Sequence, residues 1–404
     1  MYQNIEIEKL DHFGYGIAFI DNKIVFIKDA IPGDIVDIKI IIEKKKYSEA
    51  IVTKYIKKSS DRIESVCPYF NLCGGCNLLY YNYEKSIEFK LNKVKELLEK
   101  NKINYNNEIE VIKNENSFNY RNKVTLKIID GKIGYYEDNT HKLVEINECL
   151  VANNGINKVI KNYKLLNLEN ASLTIRCNTN NEILLVINTN EKKYNIELNK
   201  LKEIIKLVGI VYNDKTIYGD NFFYERIGGY LFKVSYNSFF QVNPYICEKL
   251  FNLISINVDD NSVVLDLYSG VGTLGIVAST KAREVLSVEI IKNAVINGIF
   301  NAKLNKKNNI IFMLGDVSKT VEKININFDT LILDPPRSGL DRNTINFIKE
   351  KIPSKIIYVS CDANTLMRDL KLLENLYEIK TYKVLDMFSY SYHLESFIVL
   401  ERSK

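Results

Sequence analysis

No stretch of this 404-residue chain approaches the roughly 20 consecutive apolar residues that a membrane helix needs, so a helical membrane protein is not expected. The opening residues, Met1 to Glu6, carry neither a basic segment nor an apolar one of the kind that directs secretion. The expected location is therefore cytoplasmic. Internal repeats and low-complexity segments are absent, which argues against a stacked-repeat architecture. Arginine is scarce beside lysine. Because a guanidinium makes bidentate contacts that an ammonium cannot, Arg337 and Arg368 stand out as site candidates.

What is present describes a folded, multi-domain protein. The chain is too long for one ordinary domain, and 46% hydrophobic with 26% charged residues excludes disorder. A net charge of +5 is too small to demand a polyanionic partner. Lysine clusters at 44–46 and 54–58 suit phosphate contacts and solvated faces equally. The seven cysteines are an odd number and poor disulfide candidates in a cytosolic protein. Cys67, Cys73 and Cys76 crowd together with Cys149 distant, while Cys177, Cys247 and Cys361 are scattered.

Three regions follow from the patterning. Residues 1–58 read as short strands at close spacing, broken at Gly14-Tyr-Gly16 and Pro32-Gly33-Asp34, which predicts a small β-barrel. Such barrels carry nucleic acid on exposed aromatics and lysines. Residues 59–235 hold the cysteine cluster, a helical stretch near 83–100, and strands interrupted by helical patterns at 153–163 and 197–207. This predicts an α+β domain. Residues 236–404 alternate buried strands with amphipathic helices, predicting a largely parallel sheet covered on both faces.

Within that last region, Asp266-Leu-Tyr-Ser-Gly-Val-Gly272 closes a strand with a glycine turn. It is not a phosphate loop, since no Gly-Lys-Ser/Thr follows, and it lacks the third glycine of a dinucleotide fingerprint. The next strand ends at Glu289, where a carboxylate can accept from ribose hydroxyls. Asp334-Pro-Pro-Arg337 stiffens an acidic loop after a further strand. Together these point to S-adenosylmethionine. Cys361 follows another strand, and Glu395 lies close to the terminus, a thiol and a base suited to covalent activation of a substrate.

The segments Asn237-Ser-Phe-Phe-Gln-Val-Asn243, 266–272, Asp334-Pro-Pro-Arg-Ser-Gly-Leu340, Ser360-Cys361, Thr365-Leu-Met-Arg-Asp369 and His393-Leu-Glu395 together resemble the RNA uracil-C5 methyltransferases. The resemblance implies an α/β chain with a class I, Rossmann-like methyltransferase domain at 236–404. It implies a TRAM barrel at 1–58, similar to an OB fold, and an α+β iron–sulfur domain at 59–235. Cys361 would be the nucleophile that adds to uracil C6, and Glu395 the acceptor of the C5 proton. Cofactor contacts would fall to Gln241, Tyr268, Glu289 and Asp334, with Thr273 and Asp316 as weaker candidates.

Spacing alone leaves zinc and iron–sulfur both open for Cys67, Cys73, Cys76 and Cys149. The resemblance implies a 4Fe–4S cluster on these four. Possession of both barrel and cluster implies ribosomal RNA, of the 23S type, rather than transfer RNA, and a monomeric enzyme is expected. Rivals are a transfer-RNA enzyme, a non-catalytic RNA-binding protein and, more distantly, a zinc-containing DNA methyltransferase. Where the family has Ser-Cys-Asn-Pro, this chain has Ser360-Cys-Asp-Ala363. The missing proline is expected to loosen the loop, and Asp362 to disfavour the thiolate unless a cation, expected to be Arg368, compensates.

Overall fold

A computed structural model describes residues 1–138, 140–191 and 195–403. Two compact units emerge. One comprises Met1–Val94, Tyr135–Val144 and Tyr390–His393, and the other Lys95–Gly134, Glu145–Ser389 and Leu394–Lys404.

The first unit carries a six-stranded mixed sheet in the order Tyr2–Glu6, Ile35–Glu43, Tyr47–Lys57, Lys23–Lys28, Gly16–Ile20, Lys9–Leu10. Its alternating pattern turns Ala18, Val25, Ile27, Val36, Ile38 and Ala50 into one buried cluster. Gly16 is required here, because a Cβ would meet Ile7 and Ala30 at 2.9 Å. Asp34 is fully buried, bonded to the Ile31 amide and paired with Arg62, which lies between the rings of Tyr55 and Tyr80.

The second unit is built on two larger sheets and a two-stranded hairpin, Phe222–Ile227 with Tyr230–Ser235. A seven-stranded one includes Lys123–Ile129, Ala171–Cys177, Glu182–Asn188 and Lys206–Tyr212 as adjacent strands. The helices Asn154–Lys161 and Leu198–Ile204 match the helical patterns near 153–163 and 197–207. An eight-stranded sheet runs in the order Ile310–Leu314, Glu284–Glu289, Val263–Leu267, Thr330–Leu333, Lys355–Ser360, Glu395–Arg402, Tyr377–Leu385, Glu110–Ile112. The first five are mutually parallel, and Glu395–Arg402 runs antiparallel. Val263–Leu267 and Thr330–Leu333 are buried at every position, as expected of strands covered on both faces. Glu110–Ile112 joins this sheet from far upstream in the chain, pairing in parallel with Tyr377–Leu385.

Helix starts follow local chemistry. Asn243 caps Pro244–Asn257, which opens on proline. Asp341 caps Arg342–Lys351, and Asp362 caps Ala363–Leu373. Among the described residues no helix is long and apolar enough to cross a membrane.

Candidate active site

Strand register brings the candidate residues to one edge. Leu267 pairs with Val288 on one side and Leu333 on the other, and Leu333 pairs with Tyr358. Tyr268, Glu289 and Asp334 thus lie where neighbouring parallel strands end, the edge at which ligands bind in open α/β sheets. Ser360 lies opposite Ser396 in the antiparallel pair, so one further step of the same register sets Cys361 opposite Glu395.

The turn after Leu267 forms a cradle. Tyr268 takes a left-handed backbone at φ 64°, a conformation that a bulky residue adopts only under constraint, and Gly270 and Gly272 follow with positive φ. A Cβ on Gly272 would stand 2.6 Å from the Phe312 ring. Glu289 accepts from the Gly270 amide at 2.9 Å and the Ile291 amide at 2.8 Å, so each oxygen keeps a lone pair for a ligand hydroxyl. The cavity beside this turn is lined by Gln241, Asp266, Tyr268, Ser269 and Asp334 among others. Ser269 Oγ and Asp266 Oδ1 are buried without a hydrogen-bond partner among the described residues. Such orphaned groups are costly unless a ligand completes them. This donor and acceptor set fits S-adenosylmethionine. Thr273 begins the helix behind the turn and lines the same cavity, whereas Asp316 spends one oxygen capping the helix Val317–Thr320.

The electrostatics at the thiol are acidic. The Cys361 thiol is pushed up to about 11, by burial first and then by Glu395, Asp334 and Asp362, with Arg337 opposing them. Burial likewise raises Asp334 to about 7, and Asp266 to about 7 with Asp334 and Glu289 adding to it. Glu395, fully enclosed and beside Asp334, lies well above the usual carboxylate range. At neutral pH the resting site therefore holds a thiol rather than a thiolate, and burial together with Asp334 favours the neutral form of Glu395.

Two expectations about the loop require correction. Ala363 is the first residue of the helix Ala363–Leu373, and Asp362 caps it, accepting the Asn364 and Thr365 amides at 3.0 Å. Aspartate caps as well as asparagine, and alanine at the first helical position is a good helix former. The missing proline thus leaves the turn anchored. Arg368 is not the compensating charge either. It donates to Asp369 and to the Ser338 and Leu340 carbonyls, and Arg337 is the cation that acts on the thiol.

Other contributors carried little sequence signal. The segment before Gln241 is held by the buried Arg176, which donates to the carbonyls of Ser235, Tyr236 and Ser238 at 2.8, 3.0 and 2.9 Å. The Asn122 side chain holds the Gln241 carbonyl at 3.1 Å. Arg176 sits on a strand and Asn122 directly before one, neither within a motif. Ser269 and Asp266, by contrast, lie inside the glycine-turn segment, where their burial was the missing information.

The cysteine set fares differently. Cys67, Cys73 and Cys76 lie half-buried in the first unit and Cys149 half-buried in the second. Soft thiols suit iron or zinc, but among the described residues no three His, Cys, Asp or Glu side chains are arranged to hold a metal ion. The expected iron–sulfur domain is thus not shown by the geometry.

Residues 82–403 match the model of the tRNA (uracil-5-)-methyltransferase family, and residues 1–53 match the TRAM domain. The chain belongs to the tRNA (uracil-5-)-methyltransferase family. Members of it are S-adenosylmethionine-dependent RNA (uracil-C5) methyltransferases, and this chain is an enzyme of that kind. An RNA methyltransferase of Halalkalibacterium halodurans is 31% identical, with 98% of this chain and 96% of the relative covered. Another from Clostridium acetobutylicum is 34% identical over the same shares. Among solved structures, the Pyrococcus abyssi tRNA (uracil-54, C5)-methyltransferase in complex with S-adenosyl-L-homocysteine is similar, with a TM-score of 0.82 and 25% identity. The match covers 98% of this chain and all of that one.

Proposed function

We propose that this enzyme methylates C5 of a uridine in a structured RNA through a covalent adduct at C6. The observation that carries the reading is the register that sets Cys361 opposite Glu395 at the ligand-binding edge of the sheet. Uracil C5 is a weak nucleophile. The Cys361 thiol gives up its proton to solvent, and addition of the resulting thiolate to C6 converts the ring to an enolate with negative charge at C5. S-adenosylmethionine, which Gln241, Tyr268, Glu289 and Asp334 would hold, would supply an electrophilic methyl group and leave as S-adenosylhomocysteine. After C5 gains the methyl, the Glu395 carboxylate removes the C5 proton, the ring regains its double bond, and the Cys361 thiolate leaves. Glu395 acts in this last step as a carboxylate, the form that its burial and Asp334 disfavour. The target base must leave its stack to reach the thiol.

Large-subunit ribosomal RNA is the first substrate to test, on the basis of the barrel and cysteine cluster. A second reading, transfer RNA, is supported by the Pyrococcus abyssi enzyme, which shares the full-length architecture and acts on transfer RNA. Barrel content alone therefore does not separate the two. Radiolabelled methyl transfer to ribosomal and transfer RNA transcripts, with mapping of the product, decides between them. No incorporation into either would sink the proposal. The iron–sulfur assignment of Cys67, Cys73, Cys76 and Cys149 rests on thiol chemistry and resemblance, and no step of the reaction passes through it. The three regions 1–58, 59–235 and 236–404 are proposed as barrel, cysteine-bearing and catalytic modules on the same basis.

A further inference from the structure

A groove of about 730 Å³ in the second unit shares no lining residue with the cofactor cavity. One wall is the helix Asn154–Lys161, and the other is the segment 202–206, which ends one helix and begins a strand. Lys158, Lys161, Lys202 and Lys206 are exposed along it, against one lining carboxylate, Glu203. Lys161 is paired with Glu148 at 2.8 Å, and Lys206 donates to the Asn180 carbonyl. Lys202 stands over the Tyr218 ring at 5.5 Å. Among the described residues neither Lys158 nor Lys202 has a carboxylate within ion-pair distance. The walls offer ammonium and amide groups beside Ile183, Ile204 and Ile205, and no aromatic side chain lines them. That chemistry suits a sugar–phosphate backbone better than a base or an apolar peptide.

The groove is also tied to the reaction site. Asn153, which caps the groove helix, donates its amide to the Arg121 carbonyl, while Asn122 donates its backbone amide to the Val242 carbonyl and its side-chain amide to the Gln241 carbonyl. The Cys177 amide donates to the Asn122 carbonyl, and a Cβ on Gly155 in the groove wall would stand 2.6 Å from the Cys177 sulfur. Groove wall and Gln241 segment are thus held by one short run of hydrogen-bonded backbone. Two more cations, Arg121 and Lys123, lie on that run. Lys123 is depressed to about 8 by burial and by its neighbours Arg176 and Arg121, so cations gather there.

We infer that this lysine-lined groove is a second anchoring surface for the phosphate backbone of the substrate RNA, outside the pocket that receives the target uridine. The inference rests on the RNA-methyltransferase reading and extends it to residues of the region between barrel and catalytic strands. It assigns Lys158, Lys202 and Lys206 to affinity and leaves the chemical step to Cys361 and Glu395.

The test compares the full-length enzyme with a combined Lys158→Ala, Lys202→Ala, Lys206→Ala variant. Affinity for a folded transcript that the wild type methylates is measured over a salt series, beside affinity for S-adenosylmethionine. The variant is expected to lose about tenfold in transcript affinity at moderate salt, and its log–log salt slope to fall by about two. Cofactor affinity stays unchanged, which also shows that the variant is folded. Methylation of a minimal stem-loop bearing the same uridine stays near wild type, and the corresponding Lys→Arg variant keeps the slope. Unchanged transcript affinity and slope would overturn the inference, whatever else the groove binds. A wild-type enzyme that methylates no RNA would overturn the proposed function itself, a distinct result.

Discussion

The Asp369 carboxylate accepts the Leu340 amide at 2.9 Å from a position with no solvent exposure. The same oxygen accepts the Tyr358 hydroxyl at 2.7 Å, and the other accepts both Nε and Nη2 of Arg368. Through this one side chain the helix that follows Cys361 grips the loop that follows Asp334. Thr365 adds a bond to the Arg337 carbonyl at 3.1 Å. Gly339, at φ 71°, cannot be replaced without a Cβ striking Asp369 at 2.6 Å. Thiol, acid and Arg337 are therefore carried by one braced piece of backbone.

Replacing Asp369 by Ala should cost about 3 kcal/mol of stability, because it strands a buried hydroxyl, a buried amide and a guanidinium. Since the loop bears Asp334, kcat should fall more than cofactor affinity. Denaturant unfolding beside initial rates would check both, and a variant as stable as wild type would show that the brace is dispensable.

Much of this was legible in the chain. Continuous apolar runs such as Val263–Leu267 announce strands buried on both faces, and the order of strand ends places Glu289, Asp334 and Cys361 on one edge. What was not legible was which cation faces the thiol. Arg337 and Arg368 both lie in motifs, and only the fold shows Arg368 consumed by Asp369 and two carbonyls. The significance of Ala363 was hidden for a similar reason: a missing proline matters in a loop and little at the first position of a capped helix. Arg176 and Asn122 were invisible because their partners are backbone carbonyls some 60 to 120 residues away, at separations of 59–62 and 119.

Cys361→Ala should lower methyl transfer by at least about 10³-fold, since no other thiol lies on this strand end to add to C6. S-adenosylmethionine affinity should change little, and removing a buried, protonated thiol leaves the fold intact. Product formation within tenfold of wild type would mean that the base is activated without this sulfur.

Glu395→Gln should retain methylation of C5 yet fail to release product. A neutral amide is close in shape to the acid and suits an enclosed site that disfavours charge there, so folding and base binding are preserved. It cannot take up the C5 proton, however, and the sulfur stays on C6. Denaturing gels should show a band containing both protein and RNA, lost when Cys361 is also replaced. Free 5-methyluridine product at the wild-type rate would place the base elsewhere.

Protein prepared without oxygen should hold about four iron atoms per chain if Cys67, Cys73, Cys76 and Cys149 ligate a 4Fe–4S cluster. Replacing any one by Ser should lower iron content and leave S-adenosylmethionine affinity unchanged, because the cofactor cavity is lined by other residues. Iron and sulfide analysis checks this. Stoichiometric zinc without sulfide would replace the cluster by a zinc site.

The pH dependence of cofactor binding follows from Asp334. Burial raises it to about 7, so the folded enzyme holds this proton more tightly than the unfolded chain, whose ordinary carboxylate loses it near 3.8. The stabilisation from the neutral acid is complete below that lower value and is lost as pH rises through about 7. Without cofactor, wild type should therefore lose stability between pH 5 and pH 8 relative to Asp334→Asn, which keeps a neutral group throughout. Binding shows the opposite trend. The sulfonium of S-adenosylmethionine is attracted by an ionised Asp334, so its affinity should rise about tenfold from pH 6 to pH 8. S-adenosylhomocysteine lacks that charge and should change far less. Calorimetric titration of both ligands at the two pH values is the measurement, and parallel curves for the two would remove Asp334 from contact with the sulfur.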